Sequence, residues 1–139
     1  MSAMSNYLEN EIIRYWFQND AGAAPKPSNV YVGLLTAAPS DAGGGTEVSA
    51  GGYARVTVLC SAANWVGPTA GNGTVTNGNA ITFGTPSANW GTIVAVGIFD
   101  AASGGNLLWL GALDVSKTVN NGDAAPSFAA GQLSIQVDN

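Results

Sequence analysis

The nine Asp and Glu residues are the only side chains from which this chain could assemble ordinary acid–base catalysis, because it has no histidine. A glycosidase-type mechanism needs two carboxyl groups held across one sugar bond. The acids here do not converge by spacing. Glu9 and Glu11 are two positions apart in a helical pattern and point in different directions. Asp41 and Glu47 flank the glycine run Gly43-Gly44-Gly45, and Asp100, Asp114, Asp123 and Asp138 fall at expected strand ends or turns. A Ser–His–Asp set is excluded with the histidine. Cys60 is the single cysteine, so no intrachain disulfide framework or CxxC zinc or redox motif exists. It lies in an alternating pattern and reads as a small buried hydrophobe, with no imidazole to activate it as a nucleophile. Asp100 could in principle ligate calcium, but it lacks a DxDxD spacing and reads as a turn residue. No GxGxxG opens a helix after a strand, and Gly43-Gly44-Gly45 is not followed by the lysine of a phosphate loop. The expectation is a protein without catalytic residues, cofactor or metal.

Binding chemistry is better represented. Of the four tryptophans, Trp65 and Trp90 lie in loop-like stretches and are candidates for stacking on a sugar ring. Trp16 and Trp109 are assigned to the core or an interface. Four basic against nine acidic residues leave a net charge of −5. So few cations cannot line up phosphate contacts along a nucleic acid or form a polybasic patch for anionic lipid. No nucleic-acid or membrane partner is expected. No stretch reaches the roughly 18 apolar residues of a membrane helix. The opening Met1-Ser2-Ala3-Met4-Ser5-Asn6 lacks a signal-peptide pattern, so a soluble chain made in a reducing cytoplasm is expected and the sequon Asn72-Gly73-Thr74 stays idle.

The elements that position these residues follow from the pattern. Ser5 can cap a helix in which Leu8, Ile12, Tyr15 and Trp16 share one face, ending at Asn19-Asp20-Ala21-Gly22 after about 14 residues. Its aromatic end, Tyr15-Trp16-Phe17, needs a surface to lie on, either its own subunit or a neighbouring chain. Residues 23–27 form a short stiff linker. The remainder reads as short strands over 29–36, 53–60, 74–76, 80–83, 92–100, 107–113, 114–119 and 132–138, separated by Asn-Gly and Gly-Gly turns such as Asn72-Gly73 and Gly104-Gly105. The fold class is all-β: an antiparallel β-sandwich, jelly-roll or immunoglobulin-like, with one N-terminal α-helix. The 139 residues form one structural unit, with a helical segment over 1–22 and a β-sandwich over 23–139.

The hairpin over 92–113 is apolar on both faces. Val94, Val96 and Ile98 oppose Ile93, Ala95 and Phe99, and Leu107, Trp109 and Leu113 oppose Leu108, Leu110 and Ala112. A strand with one wet face alternates instead. Both faces therefore need cover, and one short helix supplies only part of it. Assembly into a homo-oligomer or larger particle is expected, with Leu8, Ile12, Tyr15, Trp16, Leu108 and Leu110 as interface candidates.

Several stretches resemble a known family. These are residues 30–39 with Val30-Tyr31-Val32-Gly33-Leu34-Leu35, residues 41–48, Gly51-Gly52-Tyr53-Ala54-Arg55, Trp90-Gly91-Thr92-Ile93, residues 97–108, Ser116-Lys117-Thr118-Val119 and Phe128-Ala129-Ala130-Gly131-Gln132-Leu133. In order and spacing they are similar to small tailed-bacteriophage virion proteins usually labelled phage tail fibre proteins, over about residues 5–138. The resemblance implies a non-enzymatic virion component whose partners are other virion proteins, either the major capsid protein or tail proteins. The sequence carries no heptad, Gly-X-Y or other shaft repeat. The chain is therefore expected to be a compact module that decorates or cements the capsid surface. The alternative is a tail fibre, a tail adaptor or a module binding a host-surface glycan.

Overall fold

The computed structural model describes residues 2–68 and 73–137. The expected turn position Asn72 and strand end Asp138 lie outside the described residues. Among them the chain runs through β1 (Ser2–Met4), α1 (Asn6–Trp16), β2 (Asn29–Ala37), β3 (Thr46–Glu47), β4 (Val56–Leu59), β5 (Trp65–Val66), β6 (Thr74–Asn77), β7 (Ile81–Thr82), β8 (Gly91–Phe99), β9 (Leu107–Val119), β10 (Ser127–Phe128) and β11 (Ser134–Gln136). One sheet of six strands has the order β1-β9-β8-β2-β3, with β4 also pairing with β2. β3 and β4 lie end to end along β2: β4 pairs with Asn29 to Val32, and β3 with Leu35 and Ala37. A three-stranded sheet β11-β6-β5 and the pair β10-β7 form the second layer. Val32, Leu34, Val58 and Val96 of the first layer meet Ile81, Phe83 and Leu133 of the second in one apolar core. This is the expected all-β sandwich with one helix.

Local departures from the sequence expectation have physical causes. The helix is 11 residues long, capped by the Ser5 hydroxyl on the Leu8 amide and closed by Phe17, whose N–H donates to Ile13. It stops short because Asn19 takes a positive φ of 48° and Asp20 bonds the Gly22 amide and the Arg14 guanidinium. The strand expected over 53–60 is only Val56–Leu59, since a turn from Tyr53 to Ala50 precedes it. The two strands expected over 107–119 are a single one, β9, paired along the whole of β8 through two bulges. β1 is a strand beyond those the sequence pattern predicts; it extends the sheet past β9, with Ala3 opposite Leu110 and Met4 opposite Trp109.

The hairpin's second apolar face does not have to wait for another subunit. In β8, Ile93 and Ala95 are 2% and 1% exposed, and Val96, Ile98 and Phe99 are also buried within the one chain. The cover comes from Phe99 itself. A Cβ at Gly97 would sit 2.8 Å from the Phe99 ring, and one at Gly33, the residue paired with Gly97, would sit 3.1 Å from it. The two glycines leave a trough in the sheet surface, and the phenylalanine ring lies across it. The far half of β9 stays open, with Val115 81% exposed, and Leu107, Trp109, Leu110 and Leu113 of its near half are half-buried.

Candidate functional site

Arg55 closes the trough from above. Its guanidinium carbon lies 3.5 Å from the Phe99 ring centroid. Nε and Nη2 donate to the two Glu47 carboxylate oxygens at 2.8 and 2.7 Å, and Nη1 donates to the carbonyls of Ala101 and Gly104 at 2.6 and 2.8 Å. The Tyr53 hydroxyl donates to Glu47 at 2.7 Å and accepts the Leu34 amide at 2.9 Å. Burial alone would raise the Glu47 carboxyl, but the hydrogen bonds from Arg55 and Tyr53 outweigh it and leave it below its ordinary value. Burial, reinforced by the bond to Glu47, holds the Tyr53 phenol well above its ordinary value. This bidentate, stacked pair is a structural clamp, and its geometry is one that lysine could not reproduce. It ties the end of the β2–β3 edge to the tip of the β8–β9 hairpin.

Asp100 fixes the same tip from the other side. Its two oxygens accept the backbone and side-chain N–H groups of Asn106 at 2.7 and 2.8 Å. This is the turn role expected from the sequence. The start of β9 is thereby held still, and α1 is fastened to it. The Ser5 hydroxyl donates to Leu107 O, the Ser5 amide to Leu108 O at 3.0 Å, and the Asn6 amide to Asp41 O at 2.9 Å.

Between α1, the linker and the hairpin end lies a groove of about 470 Å³, lined mostly by apolar side chains. It brings together Leu8, Ile12, Tyr15, Trp16 and Leu108 of the sequence-derived candidates, and adds Tyr7, Pro25 and Pro27. Leu110 is not part of it; it lines a separate small recess with Trp109 and Leu133. α1 has no buried residue. Leu8 and Ile12 are half-buried, whereas Tyr15, Trp16 and Phe17 are 59%, 74% and 79% exposed. The helix therefore does not bury its aromatic end on its own subunit. Tyr15 and Trp16 meet edge to face at 6.0 Å, so the two rings form a preset pair.

The carboxylates around the groove are engaged, whereas Lys26 and the Tyr7 and Tyr15 hydroxyls also line it. Glu11 accepts from Arg14 at 2.6 Å and from the Ala24 amide, and Arg14 also holds Asp20 at 2.8 Å. Cys60 is half-buried; burial raises its thiol, while Lys26 pulls it the other way. Among the described residues no three His, Cys, Asp or Glu side chains gather where a metal could bind. Among the described residues no helix is long and apolar enough to cross a membrane.

The two tryptophans singled out for sugar stacking lie elsewhere. Trp90 is a core residue, 4% exposed, with its indole N–H on Gly51 O at 2.9 Å and its ring edge-on to Tyr53. It offers no open face, which corrects the expectation for this residue. Its stretch looked loop-like because it lies outside any strand, yet the loop folds inward. Trp65 is half-buried in β5 and packs against the core. Sequence reasoning missed the partners of the clamp, for which the available signal is Tyr53 and Arg55 two apart in a strand-like pattern.

A family model described as Podophage GP4 fiber I protein gp80 matches residues 3–136. No curated protein matches the chain.

Proposed function

We infer the function from the premise that the chain belongs to the podophage GP4 fiber I protein gp80 family, which makes it a phage fibre-type virion structural protein. The geometry best supports a non-enzymatic fibre or tail-adaptor module that docks through α1 on a neighbouring virion protein. One observation carries this reading: the aromatic end of α1 stands open beside an apolar groove, while the apolar side chains of β8 are largely buried within the chain. Each aromatic side chain buries roughly 150–250 Å² when covered, so the three rings still hold roughly 400 Å² in reserve. At about 25 cal/mol per Å² that is on the order of 10 kcal/mol gross, before the cost of association is subtracted. Many copies on one particle add avidity to a modest single contact.

A capsid-surface position would use the same docking face, so the geometry gives it no advantage. The family's description speaks of a fibre, and the fibre reading is the one adopted. The test is a phage carrying Trp16→Ala with Phe17→Ala. The double variant is expected to fold as the parent does by circular dichroism and to be missing from purified particles, while the parent appears in tail-attached density by cryo-electron microscopy. Incorporation of the double variant at the parental level would overturn the docking role of α1. Parental density in the shell lattice would overturn the fibre position.

A further inference from the structure

We propose that the outer edge of β4 takes an extended, uncharged segment of a different virion protein as an added strand, seated in the groove between β4 and the start of β7. The site stands apart from α1 and does not depend on the docking role of that helix.

The edge offers unpaired backbone groups. Antiparallel pairing alternates, so every second residue of β4 turns its N–H and C=O away from β2. The Cys60 amide donates to Ser28 O at 2.9 Å, in line with the Asn29–Leu59 register. Val56 and Val58 are therefore the residues bonded to β2, and Thr57 and Leu59 face outward. The Leu59 carbonyl accepts the Asn64 side-chain amide at 3.1 Å. Among the described residues, the Thr57 N–H, the Thr57 carbonyl and the Leu59 N–H have no partner. An extended backbone laid alongside satisfies all three.

Other edges of the fold are guarded. Native sheets blunt an edge with charge, proline or a bulge. β3 carries Glu47 and a bulge in its pairing with β2. Beyond β1, the edge of β9 carries Asp114 and Lys117 and sets the residues from Leu113 to Ser116 against Val94 alone. β5 runs into Gly67-Pro68, and β10 follows Pro126. β4 has none of these: Val56-Thr57-Val58-Leu59 pairs with β2 in unbroken register.

The groove beside this edge specifies the occupant. It holds about 300 Å³, runs along the whole of β4 and is closed by Asn64, Asn79, Ala80 and Ile81. Val58 and Ile81 are buried and supply apolar contact. Asn79 donates to Asn64 Oδ1 at 2.9 Å, which leaves its own side-chain oxygen to accept from the occupant. No lining residue is titratable. A charged segment would be desolvated there without a counter-ion, so the complementary strand is an uncharged one. A sugar would meet no aromatic face, since none of the lining residues is aromatic. Within the described residues, the two ends of the chain are already paired in their own sheets as β1 and β11, so neither lies ready to become the added strand on another copy. The donor is therefore a different protein of the particle.

The experiment replaces Ala80, an exposed lining residue, with a photo-crosslinking amino acid and irradiates intact virions. Mass spectrometry is expected to find this chain joined to an uncharged stretch of a different virion protein. Thr57→Pro removes an outward N–H without taking a bond from β2, and Thr57→Lys keeps the backbone and sets a charge on the edge. Each is expected to lower the product per particle at least about tenfold. Thermal unfolding checks the fold, and Thr57→Lys carries the test where the proline lowers stability. No product, a product joining only two copies of this chain, or a glycan in place of a peptide overturns the proposal. So does a yield that neither Thr57 change lowers. Loss of the Trp16/Phe17 variant from virions bears on α1 alone, so the two docking roles stand or fall separately.

Discussion

β8 and α1 carry comparable loads of large apolar side chains, and the fold treats them in opposite ways. β8 is apolar on both faces and, with Val94 half-buried, its other large apolar side chains are buried within the chain: Ile93 and Val96 enter the core, and Phe99 lies across Gly33 and Gly97 beneath the Arg55 guanidinium. α1 is apolar on one face, and Tyr7, Leu8 and Ile12 find partial cover; the aromatic end is left in solvent. Apolar content alone therefore does not mark an interface. What marks it is apolar surface for which the chain supplies neither a trough nor a lid. The inference that the hairpin must meet another subunit fails for β8 on this ground, and the argument for assembly passes to α1.

The comparison is most strongly challenged at the lid. Arg55→Ala removes the stacked cation and leaves the Glu47 carboxylate short of two charge-assisted bonds. A loss of about 4 kcal/mol is expected, of the size seen when one member of a largely buried pair is deleted. Thermal unfolding should show it as a fall in Tm of roughly 10–20 °C for a chain of this size. A change under 1 kcal/mol would mean that β8 does not depend on its lid. At the core end of the same strand, Ile93→Ala hollows the packing between the two layers and should cost about 3 kcal/mol in a denaturant melt.

Acid tests the same lid by a milder route. Glu47 sits below its ordinary 4.5 in the folded protein, so the unfolded chain takes up the proton first. The contribution of Glu47 is fully present above about pH 4.5 and is lost as pH falls through the lowered folded value. The stability gap between the parent and Glu47→Gln should therefore be wide at pH 7 and narrow progressively below pH 4.5. A gap that is flat with pH would remove the clamp's ionic character. At the other region, Trp16→Ala should change stability by less than about 0.5 kcal/mol, because an exposed ring contributes little to folding. A cost near 2 kcal/mol would show that α1 is a core element after all and would erase the contrast.

Much of this was legible in the chain itself. Ser5 as cap and the 3.6-residue spacing of Leu8, Ile12 and Trp16 define the helix. The β-branched runs at Ile93 and Val96 define the central strand, and Asp100 with Asn106 defines the hairpin turn. The trough was not legible, because two glycines opposite one another act only once the register Gly33–Gly97 is known. The same holds for the clamp. Phe99 lies far in sequence from Glu47, Tyr53 and Arg55, and no local pattern says that a charged pair will lie on a phenyl ring. Trp90 was misplaced because a residue between strands reads as exposed, while here Gly51 O draws its indole inward. The interface candidates divide in the same way. The helical ones and Leu108 share a groove because helix spacing is local, and Leu110 lies beyond the irregularity in the β8–β9 pairing at Leu108 and lines a separate recess.

The central claim is that solvent reaches the aromatic end of α1 in the free chain and not in the assembled particle. Hydroxyl-radical footprinting of Trp16 and Phe17, read by mass spectrometry on the diluted chain and on intact virions, tests this directly. Strong labelling in the diluted chain with protection of both residues in the virion is the predicted result, while the exposed Val115 reports the general accessibility of the subunit. Equal labelling of Trp16 and Phe17 in the two states would contradict the account.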